Sequence, residues 1–112
     1  MGISAMAEQH RTDIRLDGSL TIATAEAVHH RLVEALAEGG TITIGCDEAD
    51  AVDLSFIQLV VAARAAADAK GAVLTLQSPA SGALLEALQR GGFLDEHPDE
   101  IGERRFWMKE GV

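Results

Sequence analysis

DAVDLSFIQLVVAARAAADAKG, residues 50–71, runs from an acidic, serine-bearing junction straight into an apolar, alanine-rich stretch. From the Asp53–Ser55 junction to about Ala69 the stretch exceeds what a strand needs, and it stops at Lys70-Gly71, which predicts a helix. An Asp or Ser where a strand gives way to a helix lies beside unpaired backbone N–H groups, so the position favours negative charge. A phosphate meets that preference, and so does an ordinary cap by Asp53 or Ser55.

On the N-terminal side, Thr41 to Cys46 is rich in β-branched residues, and Ile42, Ile44 and Cys46 share one face of a predicted strand. Asp47 to Asp50 ends it with acid, and Ala51-Val52 makes a brief extension. Upstream, Val28, Leu32 and Leu36 recur at helical spacing up to Gly39-Gly40, with Thr24 placed to cap and Glu26 in the first turn, which predicts a helix over Ala25–Glu38. Before it, Ile14 and Leu16, then Asp17-Gly18, then Leu20 and Ile22 predict an antiparallel hairpin with a tight turn. Residues 1–10 show no period and are expected to form a loose leader.

On the C-terminal side, Val73, Leu74 and Leu76 predict a further strand. Ser78-Pro79 then predicts a cap and a first helical position for a helix carrying Leu84, Leu85 and Leu88, which ends at Gly91-Gly92. The acidic DEHPDEI segment is expected at the surface, and Arg104 to Lys109 reads equally as a strand or a helix end. The order β-β-α-β-α-β-α puts single helices between successive strands, which calls for parallel pairing by right-handed crossovers after the initial hairpin. The fold class is therefore α/β: a small mixed sheet of about four strands covered by helices, in one domain over residues 11–112.

The composition fits such a domain. Hydrophobic residues make up 47% and charged residues 24% of the 112, enough to form a core and to solvate it. A formal charge of −9 argues against nonspecific binding to nucleic acid or to an anionic membrane and favours a protein partner or a cationic patch. Cys46 is the only cysteine, so no internal disulfide can form. The first ten residues lack a basic and an apolar targeting region, and no apolar run approaches a membrane span, which makes the cytoplasm the default expectation.

The patterns IRLDGSLTIATAEAVHHRLVEAL, TITIGCDEADAVDLSFIQLVVAARAAADAKG and VLTLQSPASGALLEALQRGGF together resemble a STAS domain, the sulphate-transporter and anti-sigma-factor-antagonist family, over about residues 12–94. The resemblance implies helices packed mainly on one side of the sheet and a functional surface at the start of the helix after the third strand. It also implies a non-enzymatic signalling module whose partner is a kinase-like anti-sigma factor or a sensor or chemotaxis kinase assembly. Soluble members also resemble the small cytoplasmic subunit of lipid-transporting ABC systems, which clasps the ATPase. In signalling members an Asp is followed directly by a phosphorylated Ser or Thr. Here Asp53 matches the Asp, Leu54 occupies the acceptor place, Ser55 lies one residue later, and Phe56 stands where many members have Gly.

Ser55 is thus the candidate phosphoacceptor, and Asp53, Leu54, Ser55, Phe56 and Gln58 form the candidate partner-binding surface. Leu54 and Phe56 cannot both be buried if Ile57 and Val61 face the sheet, because they fall on different sides of a 3.6-residue period. His29 and His30 are adjacent and diverge on a helix, so they do not form an i, i+4 metal pair, while His10 and His97 lie in the least patterned segments. No nucleophile, base and orienting group can be assembled, and no metal or cofactor is expected. Gly39-Gly40 and Gly91-Gly92 lack phosphate-loop spacing. Trp107 reads as a packing anchor for the tail or, if exposed, as an interface residue.

Overall fold

The computed structural model describes residues 11–94 and 101–109. Its elements run β1 (Arg11–Arg15), β2 (Gly18–Leu20), a 3₁₀ turn (Ile22–Thr24), α1 (Ala25–Glu38), β3 (Thr41–Gly45), β4 (Ala49–Val52), α2 (Leu54–Lys70), β5 (Val73–Leu76), α3 (Gly82–Arg90) and α4 (Ile101–Met108). The leader at residues 1–10 lies outside the described residues, as do His10 and His97.

The expected hairpin does not form. β1 pairs in parallel with β3, and β2 pairs in parallel with β4. Leu16 N–H donates to Gly45 O (2.8 Å) and Gly18 N–H to Glu48 O (3.2 Å), so β1 and β2 are successive pieces of one bent strand following β3 and β4. The reason lies in the backbone. A two-residue Asp-Gly hairpin turn of the preferred type needs positive φ at both positions, and only Gly18 has it, at 72°. Gly18 instead marks a register shift that bends the strand. The Ala51-Val52 extension lies in a strand, β4, which raises the count from about four to five among the described residues.

β3 is the centre of the larger sheet, with order β1-β3-β5, all parallel. Its inward residues Ile42 and Ile44, with Ile14 from β1 and Leu74 and Leu76 from β5, face the helices. Against them lie Val28, Leu32 and Leu36 of α1 and Phe56, Ile57 and Val60 of α2, while α3, with Leu84 and Leu88 in the same core, packs against β4. The helices take the lengths the patterns predict: α1 spans Ala25–Glu38, and α2 stops at Gly71, whose left-handed φ of 76° lets its N–H reach back to Ala67 and Asp68 carbonyls.

Two caps differ from expectation. Thr24 precedes α1 without a side-chain bond to it; its Oγ1 accepts from Thr21 N–H (3.1 Å) while Thr21 Oγ1 accepts from Ala23 N–H (3.3 Å), a reciprocal box on the 3₁₀ turn. Ser78-Pro79 does not open α3, which begins at Gly82. Ser78 Oγ bonds Asp47 Oδ1 (2.9 Å), and Ala80 N–H donates to Trp107 O (2.8 Å), so this segment is tied to its neighbours rather than coiled into the helix.

Arg104 to Lys109, open between strand and helix in the sequence, lies in and just past α4. Trp107 is 0% exposed, Phe106 meets it edge-on with centroids 4.9 Å apart, and the Arg64 guanidinium of α2 lies 4.3 Å from the Phe106 ring centre. Lys109 Nζ donates to Leu76 O (3.0 Å) at the outer edge of β5.

Candidate functional site

The start of α2 is built around one carboxylate. Asp53 is the N-cap: its Oδ1 accepts from Ser55 N–H at 2.9 Å, and its Oδ2 accepts from Ile22 N–H at 3.0 Å. Its own N–H donates to Leu20 O (3.2 Å). One side chain therefore caps α2 and holds the turn that leads into α1. The site exists because β2 and β4 end side by side, Leu20 opposite Val52, so that both helices leave the sheet at the same place.

The apolar residues at this junction divide sharply. Leu54 is 51% exposed and Ile22 is 72% exposed, on the two segments that Asp53 joins. Phe56 is 1% exposed and packs in the core, so its ring is not part of a binding surface, contrary to the sequence expectation. The cause is the helical period: Phe56 falls on the same side as Ile57 and Val60, and Leu54 falls on the other. Gln58 is exposed, and Asp53 and Ser55 are half-buried. The sequence pattern puts Ile22 in a hairpin strand and so leaves it out of the candidate surface. The Thr21-x-x-Thr24 spacing that closes the reciprocal cap was the available sign that the chain turns there.

Removing the carboxylate strands two backbone donors. Asp53→Ala is expected to lower unfolding free energy by about 2 kcal/mol, the sum of a lost cap and a lost charge-assisted bond at a partly exposed site. Denaturant unfolding measures it, and a loss below about 0.5 kcal/mol, the range of an inconsequential surface change, would show that the carboxylate does not hold the junction together.

The remaining sequence candidates lie elsewhere. His29 and His30 are exposed on α1, with His30 Nδ1 3.7 Å from Glu34 Oε2. Among the described residues no group of three or more His, Cys, Asp or Glu is placed to hold a metal ion. Cys46 is buried just past β3, where desolvation, helped by the Asp47 charge, pushes its thiol up from 9.0 to about 12. That disfavours the thiolate a nucleophile needs. None of the described helices is long and apolar enough to cross a membrane.

The profile of the family described as "Mlab, STAS domain" matches residues 3–96. The chain belongs to the STAS domain family. This STAS domain is also similar to a solved structure described as "Crystal Structure Analysis of Mglu", with a TM-score of 0.55 and 20% sequence identity over 64% of this chain. The matched part is 18% of that longer chain, and the likeness is one of fold. No curated protein sequence matches the STAS chain. The family match ends before α4, so Trp107 belongs to a helix outside the matched stretch of this STAS protein.

Proposed function

We propose that this STAS domain is a non-enzymatic docking module of the anti-sigma-factor-antagonist kind, working in the cytoplasm, whose partner is a kinase-like anti-sigma ATPase or a related sensor or chemotaxis kinase assembly. The observation that carries the reading is the exposed pair Ile22 and Leu54, fixed on either side of the Asp53 carboxylate. Two large apolar side chains held on a rigid polar frame suit the centre of a protein interface, where apolar anchors contribute most. Gln58, one turn along α2, lies exposed beside them. Ser55 is the proposed modification site. Its N–H already donates to a carboxylate, so a phosphate there would add negative charge beside Asp53, enough to reject an acidic partner or recruit a basic one.

Binding of the purified ATPase, measured by calorimetry, tests the reading. Leu54→Asp and Ile22→Asp are each expected to weaken binding at least about 30-fold, the ratio that corresponds to a 2 kcal/mol interface anchor. Wild-type affinity in both variants would place the partner elsewhere. Mass spectrometry after incubation with the kinase reports on Ser55, and an unmodified Ser55 beside a phosphorylated control substrate would remove the phosphorylation step while leaving the docking face standing.

A second reading is a cytoplasmic STAS subunit of an ABC-type lipid transporter. Leu54 at the usual acceptor place favours it, because a subunit held permanently on an ATPase has no need of a phosphate there. Co-purification with a transporter ATPase in place of a regulatory kinase would decide for this reading.

A further inference from the structure

The helices cover one face of the β1-β3-β5 sheet, and among the described residues none covers the other face. Burial alternates along each strand as the pleat requires: Ile14, Ile42, Ile44, Leu74 and Leu76 point to the helices, while the residues between them are exposed or half-buried. The strand register lines the outward residues up in rows. Arg11 pairs with Thr41, which pairs with Val73; Asp13 pairs with Thr43, which pairs with Thr75. In the third row Arg15 pairs with Gly45, where the missing side chain leaves the space that the Gln77 amide occupies. A shallow trough of about 770 Å³ runs over Thr41, Thr43 and Thr75 to Lys109, and a second depression continues it past Asp13 and Arg15.

This lining runs against the rest of the molecule. The chain carries 18 acidic and 9 basic residues, yet the lining presents Arg11, Arg15 and Lys109 against Asp13, with Glu48 beside Arg15 at its edge. Arg15 is held loosely, 4.0 Å from Glu48 with both side chains 65% exposed, so its guanidinium can turn to an incoming anion. The threonine hydroxyls and the Gln77 amide supply neutral donors and acceptors between the charges.

We propose that the open sheet face docks an extended acidic segment of a partner protein, with carboxylates four residues apart and a non-acidic residue midway. Arg11 and Arg15 project from one strand face four residues apart, roughly 13 Å at 3.3 Å per residue, and a second extended chain spaces its own i and i+4 side chains equally. Asp13, midway between them, repels an acid at the central position and accepts a hydroxyl or amide there. None of the residues lining this face belongs to the Asp53 junction, so the proposed site is distinct from the docking surface there.

The probes are two peptides of equal charge, Gly-Glu-Thr-Ser-Thr-Glu-Gly and Gly-Glu-Thr-Glu-Thr-Ser-Gly, titrated into the full chain and followed by backbone amide NMR. The first is expected to shift Thr41, Thr43 and Thr75 signals and to bind about tenfold more weakly to an Arg11→Glu/Arg15→Glu variant. Asp13→Asn is expected to raise the affinity of the second about tenfold, and Leu54→Asp to change neither, which separates this face from the one at the start of α2. Equal binding of both peptides to the wild type, or shifts confined to the start of α2, would overturn the proposal. So would a concentration-dependent dimer abolished by Arg11→Glu, which would put a second copy on the face.

Discussion

Trp107→Ala lowers the unfolding free energy by about 3–5 kcal/mol, the cost of emptying a large aromatic site in a packed core. The indole is wholly buried, edge-on to Phe106, and the backbone carbonyl of the same residue takes the Ala80 N–H. A domain of this size has about 5–15 kcal/mol in all, so the variant is left marginal. The effect extends beyond one cavity. Arg64 stacks on Phe106 and Lys109 reaches Leu76 O, so loosening the anchor also releases contacts from α4 to α2 and β5. Urea unfolding followed by circular dichroism gives the number, and Trp107→Phe, which keeps a ring, is expected to lose less than half as much. A loss below about 1 kcal/mol for Trp107→Ala would show that the core does not depend on α4.

Alkaline conditions destabilise the fold through Cys46, with an effect on the order of 4 kcal/mol. The folded thiol titrates at about 12, the free one at 9.0, so between those values the unfolded chain gives up a proton that the folded chain retains. Stability from this group is complete below pH 9 and falls as pH rises toward 12, by up to about 1.4 kcal/mol per pH unit. Burial is the main cause, and the neighbouring Asp47 carboxylate adds to it. Cys46→Ala removes the group, so the difference between wild type and variant isolates its share from the titration of lysines and arginines. The gap is expected to close progressively above pH 9; parallel curves across that window would contradict the assignment. In the native state at neutral pH the same thiol should resist alkylation until the chain is unfolded.

What the sequence shows of this fold depends on whether a signal is local. α1 and α2 are legible because their apolar periods and closing glycines act within a few residues, and β3 is legible from its β-branched run. The Asp17-Gly18 pair misleads because it suits a hairpin, whereas parallel partners some thirty residues away decide the pairing. A local pattern cannot state which distant strand will be longer or better buried. Ser78-Pro79 fails in the same way, its hydroxyl being taken by Asp47 from another part of the chain.

The candidate site at the Asp53 junction divides similarly. Asp53 as a cap and the split between Leu54 and Phe56 follow from helix geometry and can be read in advance, except that the period alone does not say which of the two is exposed. Ile22 is legible only in part: Thr21-x-x-Thr24 marks the turn it sits in, but its place beside Leu54 comes from a hydrogen bond spanning 31 residues to the Asp53 carboxylate. A residue enters such a site through the company it keeps in three dimensions.

The anchor of α4 is also the chain's one tryptophan, and this makes the last helix spectroscopically distinct. Indole emission reports on its environment at that single point, whereas the far-ultraviolet circular dichroism signal averages over every helix and strand. If the two transitions coincide, α4 opens only when the whole domain does. If the emission moves first, the separation between the curves measures the free energy at which the last helix peels away from an otherwise intact sheet.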